Sequence, residues 1–240
     1  MMLAGDGQLH SVSHIATDRR VSAMADKAAG YVANHGLAEE IYLMRPDLVV
    51  AGPYAAQATT AMLKRLGIPV AVIPAATSLD DIPDRIRRMG EVLHREAAAK
   101  DMAAAFETRL AAVRAEVAAR PSAVLYYANG YTSGATALAG QILLAAGFEN
   151  AAEQAGYGAG AKLPLEMLAM IDPDVVITSQ AYPGASRSEE MMDHPAVRAF
   201  RESGAAAAMT GPDWVCGTPH VLDAIDRLAG ARREITGAAE

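Results

Sequence analysis

The sequence has a single cysteine, few aromatic residues and no long uninterrupted apolar stretch. One cysteine, Cys216, excludes an internal disulfide and leaves the redox compartment of the protein open. No run of about 18 apolar residues occurs, so the sequence carries no signal for a membrane-spanning helix. Acidic residues also outnumber basic ones, with 28 aspartates and glutamates against 21 lysines and arginines, so the net charge is −7. General nucleic-acid binding requires a positive surface, and this charge therefore argues against it.

The motifs of several common enzyme classes are missing as well. The sequence contains no GxxxxGKS/T phosphate loop, no GxSxG elbow, no HExxH pair and no cysteine pair. Residues 156–160 are rich in glycine but lack dinucleotide-loop spacing, and we interpret them as a flexible connection. The six histidines show no metal-ligand spacing, so we predict surface or capping roles for His14, His35 and His220. Cys216 is predicted to be a small buried residue.

One pattern occurs twice, once in each half of the chain. Residues 39–50 read EEIYLMRPDLVV and residues 166–177 read EMLAMIDPDVVI. Each copy has a glutamate, an apolar helical pattern, a Pro-Asp pair and a β-branched run. Proline disfavours helical geometry in the residue before it, so we predict that helices end at Arg45 and at Asp172. The β-branched runs are typical of buried parallel strands. The repeat therefore predicts two similar α/β lobes with a functional site between them.

The rest of the chain alternates predicted strands and helices, which favours parallel sheets with helices on both faces. The longest helical pattern covers residues 95–119, carries one apolar stripe, and is followed by Arg120-Pro121. Further helices are predicted at residues 189–201 and 220–228. We therefore predict an N-terminal α/β lobe at residues 1–94, a connecting helix at 95–120 and a C-terminal α/β lobe at 121–240.

Polar and aromatic residues gather where the predicted strands end. Ligands of open α/β sheets bind beyond the carboxyl ends of the strands, and aromatic rings with polar edges suit a ligand that is part ring system. Loops of any α/β protein also collect such residues, so a purely structural role stays open for each. The candidate ligand-binding residues are His14, Tyr54, Asn129, Tyr131, Gln180, Tyr182, Trp214 and Cys216. No catalytic residue and no metal ligand is predicted.

Glu39 and Glu166 occupy equivalent places in the two copies of the repeat. A single glutamate on a helix is normally a solvated side chain. Two at matching positions favour a partner that contacts both lobes at once and presents arginines, which bind carboxylates bidentately. The alternative is that both are ordinary solvated residues.

With these features the chain resembles the substrate-binding proteins of ABC importers for cobalamin, siderophores and haem. The resemblance rests on the Glu-x6-Pro-Asp-Leu-Val-Val unit and its second copy, and on the long helix between them. It covers essentially the whole chain. Three short segments are also similar to one branch of the family: Asn34-His35-Gly36, Asn129-Gly130-Tyr131 and Trp214-x-Cys216-Gly217.

The resemblance implies two small Rossmann-like lobes with parallel sheets, joined by one long α-helix. It also implies a periplasmic, non-enzymatic and monomeric protein that captures a large chelate or tetrapyrrole-like molecule between its lobes. The protein would have no cofactor of its own, although the ligand itself contains cobalt or iron. Glu39 and Glu166 would dock the protein onto an ABC permease dimer in the inner membrane. Lysine and arginine are scarce at the predicted strand ends, which favours a tetrapyrrole-like or otherwise neutral ligand.

The start of the chain departs from the family pattern of a signal peptide followed by a first strand and helix. We therefore expect the N-terminal lobe to lack its first strand, through a misassigned start codon or a truncation. Two other classes of function stay open. One is an α/β enzyme that uses His35 or Cys216 in the cleft between the lobes, and the other is an interaction module without a small-molecule ligand.

Overall fold

The computed structural model describes residues 1–115, 117, 119–158, 160–179, 194–202 and 209–237. The chain divides into two compact units. Unit 1 comprises Met1–Ala76 and Asp80–Phe106, and unit 2 comprises Thr77–Leu79 and Glu107–Glu240. Every pairing between described strands is parallel and joins strands of the same unit. The predicted α/β class with small parallel sheets is therefore confirmed.

Unit 1 contains two separate two-stranded sheets, β1–β2 and β3–β4. Its strands are β1 (Ser11–Ser13), β2 (Val32–Asn34), β3 (Val49–Ala51) and β4 (Val70–Val72). Its helices are α1 (Ala25–Ala28), α2 (Ala38–Leu43), α3 (Gln57–Arg65), α4 (Asp81–Leu93) and the first part of α5 (Glu96–Ala115). A 3-10 turn covers His14–Thr17.

The core beside β3 and β4 forms because α2 and α3 turn apolar residues toward the sheet. Ala38, Leu63 and Ile68 are buried there, and Val49 and Val70 pack against them. Val49 and Val70 are also partners in the parallel register of the two strands. The short β-branched runs thus pair as parallel strands, and Val49 and Val70 pack against the same buried residues.

Unit 2 contains one four-stranded parallel sheet in the order β6-β5-β7-β8. Its strands are β5 (Ser122–Tyr126), β6 (Glu149–Asn150), β7 (Val175–Ser179) and β8 (Met209–Thr210). Its helices are α6 (Leu138–Ala145), α7 (Ala151–Gln154), α8 (Leu165–Ile171), α9 (Pro195–Glu202), α10 (Pro212–Val215) and α11 (Val221–Gly237). β5 and β7 are almost completely buried, as their continuous apolar sequences predict.

The sequence repeat is also a repeat of backbone structure. Helices α2 and α8 end at Leu43 and Ile171, just before the predicted stops. The residues that precede the two Pro-Asp pairs, Arg45 and Asp172, both adopt left-handed conformations with φ of 49° and 45°. Each helix then leads directly into a parallel strand, β3 or β7. The prediction of a duplicated helix–turn–strand unit is confirmed.

The boundaries of two long helices differ from the prediction. α5 covers Glu96–Ala115, and residues 116 and 118 of the predicted helix lie outside the described residues. α11 continues to Gly237 instead of ending at Leu228, because its buried face continues through Leu228, Ala229 and Arg232. The 189–193 part of another predicted helix also lies outside the described residues, and α9 begins at Pro195.

The strand β2 was not predicted from the sequence. Val32 and Ala33 are exposed, so the strand lacks the apolar burial pattern that would have identified it. Its pairing with β1 is nevertheless regular, with Ser11 opposite Val32 and Ser13 opposite Asn34. Among the described residues, no helix is both long enough and apolar enough to cross a membrane.

Candidate functional site

Two histidines meet at the carboxyl ends of β1 and β2. These strands are parallel partners that end at Ser13 and Asn34, so His14 and His35 follow at the same edge. Their rings are stacked, with centroids 4.8 Å apart and an interplanar angle of 24°. The sequence analysis treated the two histidines separately, because β2 was not recognised. The signal that could have joined them is that each directly follows a strand.

Hydrogen bonds hold this histidine pair in place. Nδ1 of His14 lies 3.4 Å from the carbonyl oxygen of Asn34, and Nδ1 of His35 lies 3.4 Å from Oε1 of Glu40. The backbone N–H of His35 also donates to Oε2 of Glu40 at 2.7 Å, and this bond lowers the pKa of the Glu40 carboxyl below its ordinary value. Both rings are exposed, so they are available to a ligand.

Tyr54 lies in the turn after β3, where the N–H of Ala55 donates to the carbonyl oxygen of Gly52. Its side chain is 90% exposed, which leaves both faces of the ring accessible. The structure thus places Tyr54 at the carboxyl end of a strand, as predicted, in the same unit as the histidine pair.

In unit 2, the loop after β5 presents Asn129 and Tyr131. Asn129 and Gly130 both have left-handed φ angles, of 59° and 72°, which turn the chain back so that the N–H of Tyr127 bonds the carbonyl oxygen of Tyr131. The side chains of Asn129 and Tyr131 are both exposed. Nζ of Lys162 lies 5.2 Å from the centre of the Tyr131 ring, as in a cation–π contact.

Lys162 was missed in the sequence because it lies far along the chain from β5. An isolated antiparallel bridge joins Tyr131 to Lys162 and brings the cation to the loop. The sequence predicted few cations at the strand ends, but Lys162 supplies one beside Tyr131, in the loop after β5. A ligand carboxylate near Tyr131 would find a positive charge there.

Side chains from the end of β6, from α7 and from α6 hold the segment that follows Tyr131. Nδ2 of Asn150 donates to the carbonyl oxygen of Ser133 at 2.7 Å, and the N–H of Ala135 donates to Oε2 of Glu153 at 2.9 Å. Nε2 of Gln141 donates to the carbonyl oxygen of Ala135 at 3.1 Å. Burial raises the pKa of Tyr127, at the base of this loop, to about 12, so its phenol stays protonated at neutral pH.

Trp214 and Cys216 differ in exposure although they are almost adjacent. Trp214 lies in the one-turn helix α10 and is only 7% exposed. Nη2 of Arg227 holds this helix against α11 by bonding the buried carboxylate of Asp213 at 2.7 Å. Cys216 follows the end of α10 and is exposed. The prediction that Cys216 is buried is wrong, because the helix ends one residue earlier and the chain turns out to solvent.

Two predicted ligand-binding residues, Gln180 and Tyr182, lie outside the described residues. Within the part of the chain that the structure describes, no group of three or more histidine, cysteine, aspartate or glutamate side chains is arranged to hold a metal ion. The histidine pair therefore offers at most two nitrogen ligands from its own surroundings.

Glu39 and Glu166 lie in the first turns of α2 and α8, and both side chains are exposed. Glu39 lies at the edge of an open apolar groove of about 360 Å³ between α2 and α3. The groove is lined by Ala38, Glu39, Tyr42, Leu43, Met62 and Leu66. The exposure of both carboxylates meets the first requirement for a role in contacting another molecule.

Comparisons with known proteins identify the family of this chain. The family model described as "Periplasmic binding protein" matches residues 2–202. A cobalamin-binding protein of Halobacterium salinarum, found in strains R1 and NRC-1, is 32% identical over 145 residues, which is 58% of this chain. That match spans 39% of the length of these curated relatives.

Solved structures with the same fold include two proteins of Vibrio cholerae. The periplasmic haem-binding protein HutB has a TM-score of 0.74 at 17% identity, covering 94% of this chain and 90% of its own. The periplasmic vitamin B12-binding protein BtuF has a TM-score of 0.64 at 18% identity, with coverages of 94% and 88%. The haem-binding protein RhuT of Roseiflexus sp. RS-1 has a TM-score of 0.71 at 22% identity, with coverages of 94% and 89%. At these identities the likeness concerns the fold, and together with the family match it shows that the chain belongs to the periplasmic binding protein family.

Proposed function

We propose that this protein is the solute-binding component of an ABC import system. It captures a cobalamin-, haem- or siderophore-like ligand and delivers it to a membrane permease on the outer side of the inner membrane. The observation that carries this proposal is the match to the periplasmic binding protein family over residues 2–202. The similarity to proteins described as binding cobalamin or haem favours a large cobalt- or iron-containing ligand.

The proposed ligand-binding residues lie at strand ends in both units. Unit 1 contributes the stacked His14 and His35 together with Tyr54. Unit 2 contributes Asn129 and Tyr131, with Lys162 beside the Tyr131 ring, and also Trp214 and Cys216. Tyr182 stays a proposed ligand-binding residue and lies outside the described residues. We propose that the ligand is bound between the two lobes, with α5 as the helix that connects them, as the family resemblance implies. This division into lobes follows the predicted boundaries near residues 94 and 121.

The chemistry of these residues fits a metal chelate. A neutral imidazole nitrogen is a common ligand for iron and other transition metals, so the exposed histidine pair can approach a metal centre of the ligand. The ring of Tyr131 offers a flat surface for a macrocycle, and the ammonium group of Lys162 can pair with a carboxylate at its edge. His14 or His35 would contact the metal of such a ligand, and Lys162 would contact a carboxylate at the edge of its ring system.

We propose further that binding occurs without chemical conversion of the ligand. The matched family and the similar solved structures are described as binding proteins, which supports this proposal. The competing hypothesis is an enzyme that uses His35 or Cys216. Both side chains are exposed and could reach a bound compound. The enzyme hypothesis predicts that this compound is chemically changed when the protein releases it.

A fluorescence titration tests this function. Trp214 is the single tryptophan, and haem and cobalamin absorb where tryptophan emits, so a bound ligand should quench its emission in a saturable, one-to-one manner. Replacing Tyr131 with alanine should weaken binding by about 10-fold, because an aromatic contact and its buried area are lost. Replacing the exposed Tyr42 on α2 serves as the matched control and should leave affinity unchanged.

Free N-acetyltryptophanamide, titrated in parallel, corrects for light absorbed by unbound ligand. The proposed function would be contradicted if cobalamin, haem and a ferric siderophore each quenched the emission of Trp214 linearly and to the same extent as that of N-acetyltryptophanamide. Saturable quenching followed by a chemically changed ligand would favour the enzyme hypothesis instead.

A further inference from the structure

An exposed aliphatic side chain follows each of the two glutamates by one helical turn. On α2, Leu43 lies four residues after Glu39 and is 78% exposed. On α8, Met170 lies four residues after Glu166 and is 77% exposed. Residues four apart lie on the same face of an α-helix. Each unit therefore presents a carboxylate and a large apolar side chain on one helix face.

Packing of the opposite helix faces fixes this outward orientation. In α2, Ala38 is buried and Ile41 packs against the cluster of unit 1. In α8, Leu168 is completely buried in a cluster that includes Val124 and Val176. Because these inner residues anchor the helices to their sheets, Leu43 and Met170 cannot turn inward without breaking the core. Their exposure is therefore a property of the fold. In unit 1, Leu43 also belongs with Met62 and Leu66 to an exposed apolar patch that lines the groove between α2 and α3, and contiguous apolar patches mark sites of interaction.

We propose, on the basis of the proposed function, that each unit docks onto one permease subunit through a two-part anchor. The family resemblance implies that a guanidinium group of the permease binds the carboxylate of Glu39 or Glu166. The new element is an apolar side chain of the same subunit that packs against Leu43 or Met170. In unit 1 that apolar side chain enters the groove between α2 and α3, which Leu43, Met62 and Leu66 line. The charge guides association, and the apolar contact slows dissociation.

The duplication of the anchor argues for this partner over others. A partner with two-fold symmetry presents the same surface twice, and the chain presents the same pair of side chains once in each unit. A lipid surface would favour cationic residues beside the apolar ones, whereas glutamates stand there and the net charge is −7. A second copy of this chain would bring like charges together at the same contact.

The test measures binding of the ligand-loaded protein to the permease of this import system, purified in nanodiscs, at low and high salt. The variants are Leu43→Ser, Met170→Ser, Glu39→Gln and Glu166→Gln. Val32→Ser is the matched control, because Val32 is an aliphatic residue of unit 1 that is 59% exposed and belongs to β2 rather than to α2 or α8. Circular dichroism and ligand affinity verify that each variant is folded.

We expect Leu43→Ser and Met170→Ser each to weaken permease binding by about 10-fold, as the loss of a buried aliphatic contact predicts. The weakening should persist at high salt. For the two glutamine substitutions, the part of the effect that comes from slower association should shrink at high salt, because salt screens the long-range attraction that guides association. Val32→Ser should bind as the unaltered protein does.

Three results would overturn this inference, and they are distinguishable. If the glutamine variants weaken docking but the serine variants match Val32→Ser, the apolar half of the anchor is wrong and the proposed function stands. If the unaltered protein does not bind the permease at all, the proposed function itself fails. If sedimentation shows that the unaltered protein self-associates and the serine variants do not, the surface is a contact between copies of this chain.

Discussion

Replacing Glu39 and Glu166 together with alanine is expected to abolish docking onto the permease while leaving ligand affinity unchanged. Truncating one partner of a desolvated interfacial ion pair costs about 2–5 kcal/mol, so each single replacement should weaken docking by roughly 30-fold or more. Both carboxylates are exposed, so their loss should not disturb either core. Surface plasmon resonance against the permease in nanodiscs measures docking, and fluorescence titration measures ligand affinity.

Glu96→Ala is the matched control for these replacements. Glu96 is also an exposed glutamate in the first turn of a helix, α5, so its loss removes the same favourable interaction with the helix dipole. The control should dock as the unaltered protein does. Docking of the double variant at unaltered strength would show that the two glutamates are ordinary solvated residues, and the docking role would then be wrong.

Gly140→Ala is expected to destabilise unit 2 and to weaken ligand binding. A Cβ at this buried position in α6 would lie 2.0 Å from the carbonyl oxygen of Gly134 and 2.5 Å from its carbonyl carbon. Both are backbone atoms, so the loop between β5 and α6 would have to move. Overpacking of this kind costs about 3 kcal/mol, which corresponds to a fall in Tm of roughly 6–12 °C for a chain of this size. The same movement would displace the segment that follows Tyr131 and with it the Tyr131 side chain.

Gly230→Ala provides the control within the same unit. Gly230 also lies inside a helix, α11. Apart from its chain neighbours and the backbone of its own helix, the nearest described atom to its Cβ would be Nη2 of Arg233 at 4.0 Å. Alanine is favoured over glycine inside helices, so this variant should be more stable by about 0.5–1 kcal/mol. Thermal unfolding, monitored by circular dichroism, measures the stability of both variants. Equal stability of the two variants would contradict the close approach between α6 and the loop before it.

The sequence predicted much of the fold because its strongest signals are local. The two Pro-Asp pairs, each preceded by an apolar helical pattern, predicted the ends of α2 and α8 to within a few residues. The valine-rich runs predicted the strands β3 and β7. β7 is buried, as continuous apolar strands of parallel sheets usually are, whereas Val50 of β3 is 40% exposed. Glu39 and Glu166 are both exposed, as a glutamate on a helix normally is.

What the sequence missed depends on contacts between distant residues. β2 carries exposed side chains, so only its pairing with β1 identifies it and brings His35 onto His14. Lys162 reaches Tyr131 through a bridge between two loops, which no local pattern indicates. The exposure of Cys216 follows from where a one-turn helix happens to end. Each miss concerns the candidate site, where loops from separate parts of the chain converge and local propensity gives little guidance.

Native mass spectrometry of the protein isolated from the cells that produce it tests the central claim most directly. We expect one bound molecule of a cobalamin-, haem- or siderophore-like compound, released unchanged on denaturation and restored by adding the same compound to the stripped protein. The contrary result is a protein that carries no such molecule and gains no mass when incubated with cobalamin, haem or a ferric siderophore, or that releases a chemically altered product.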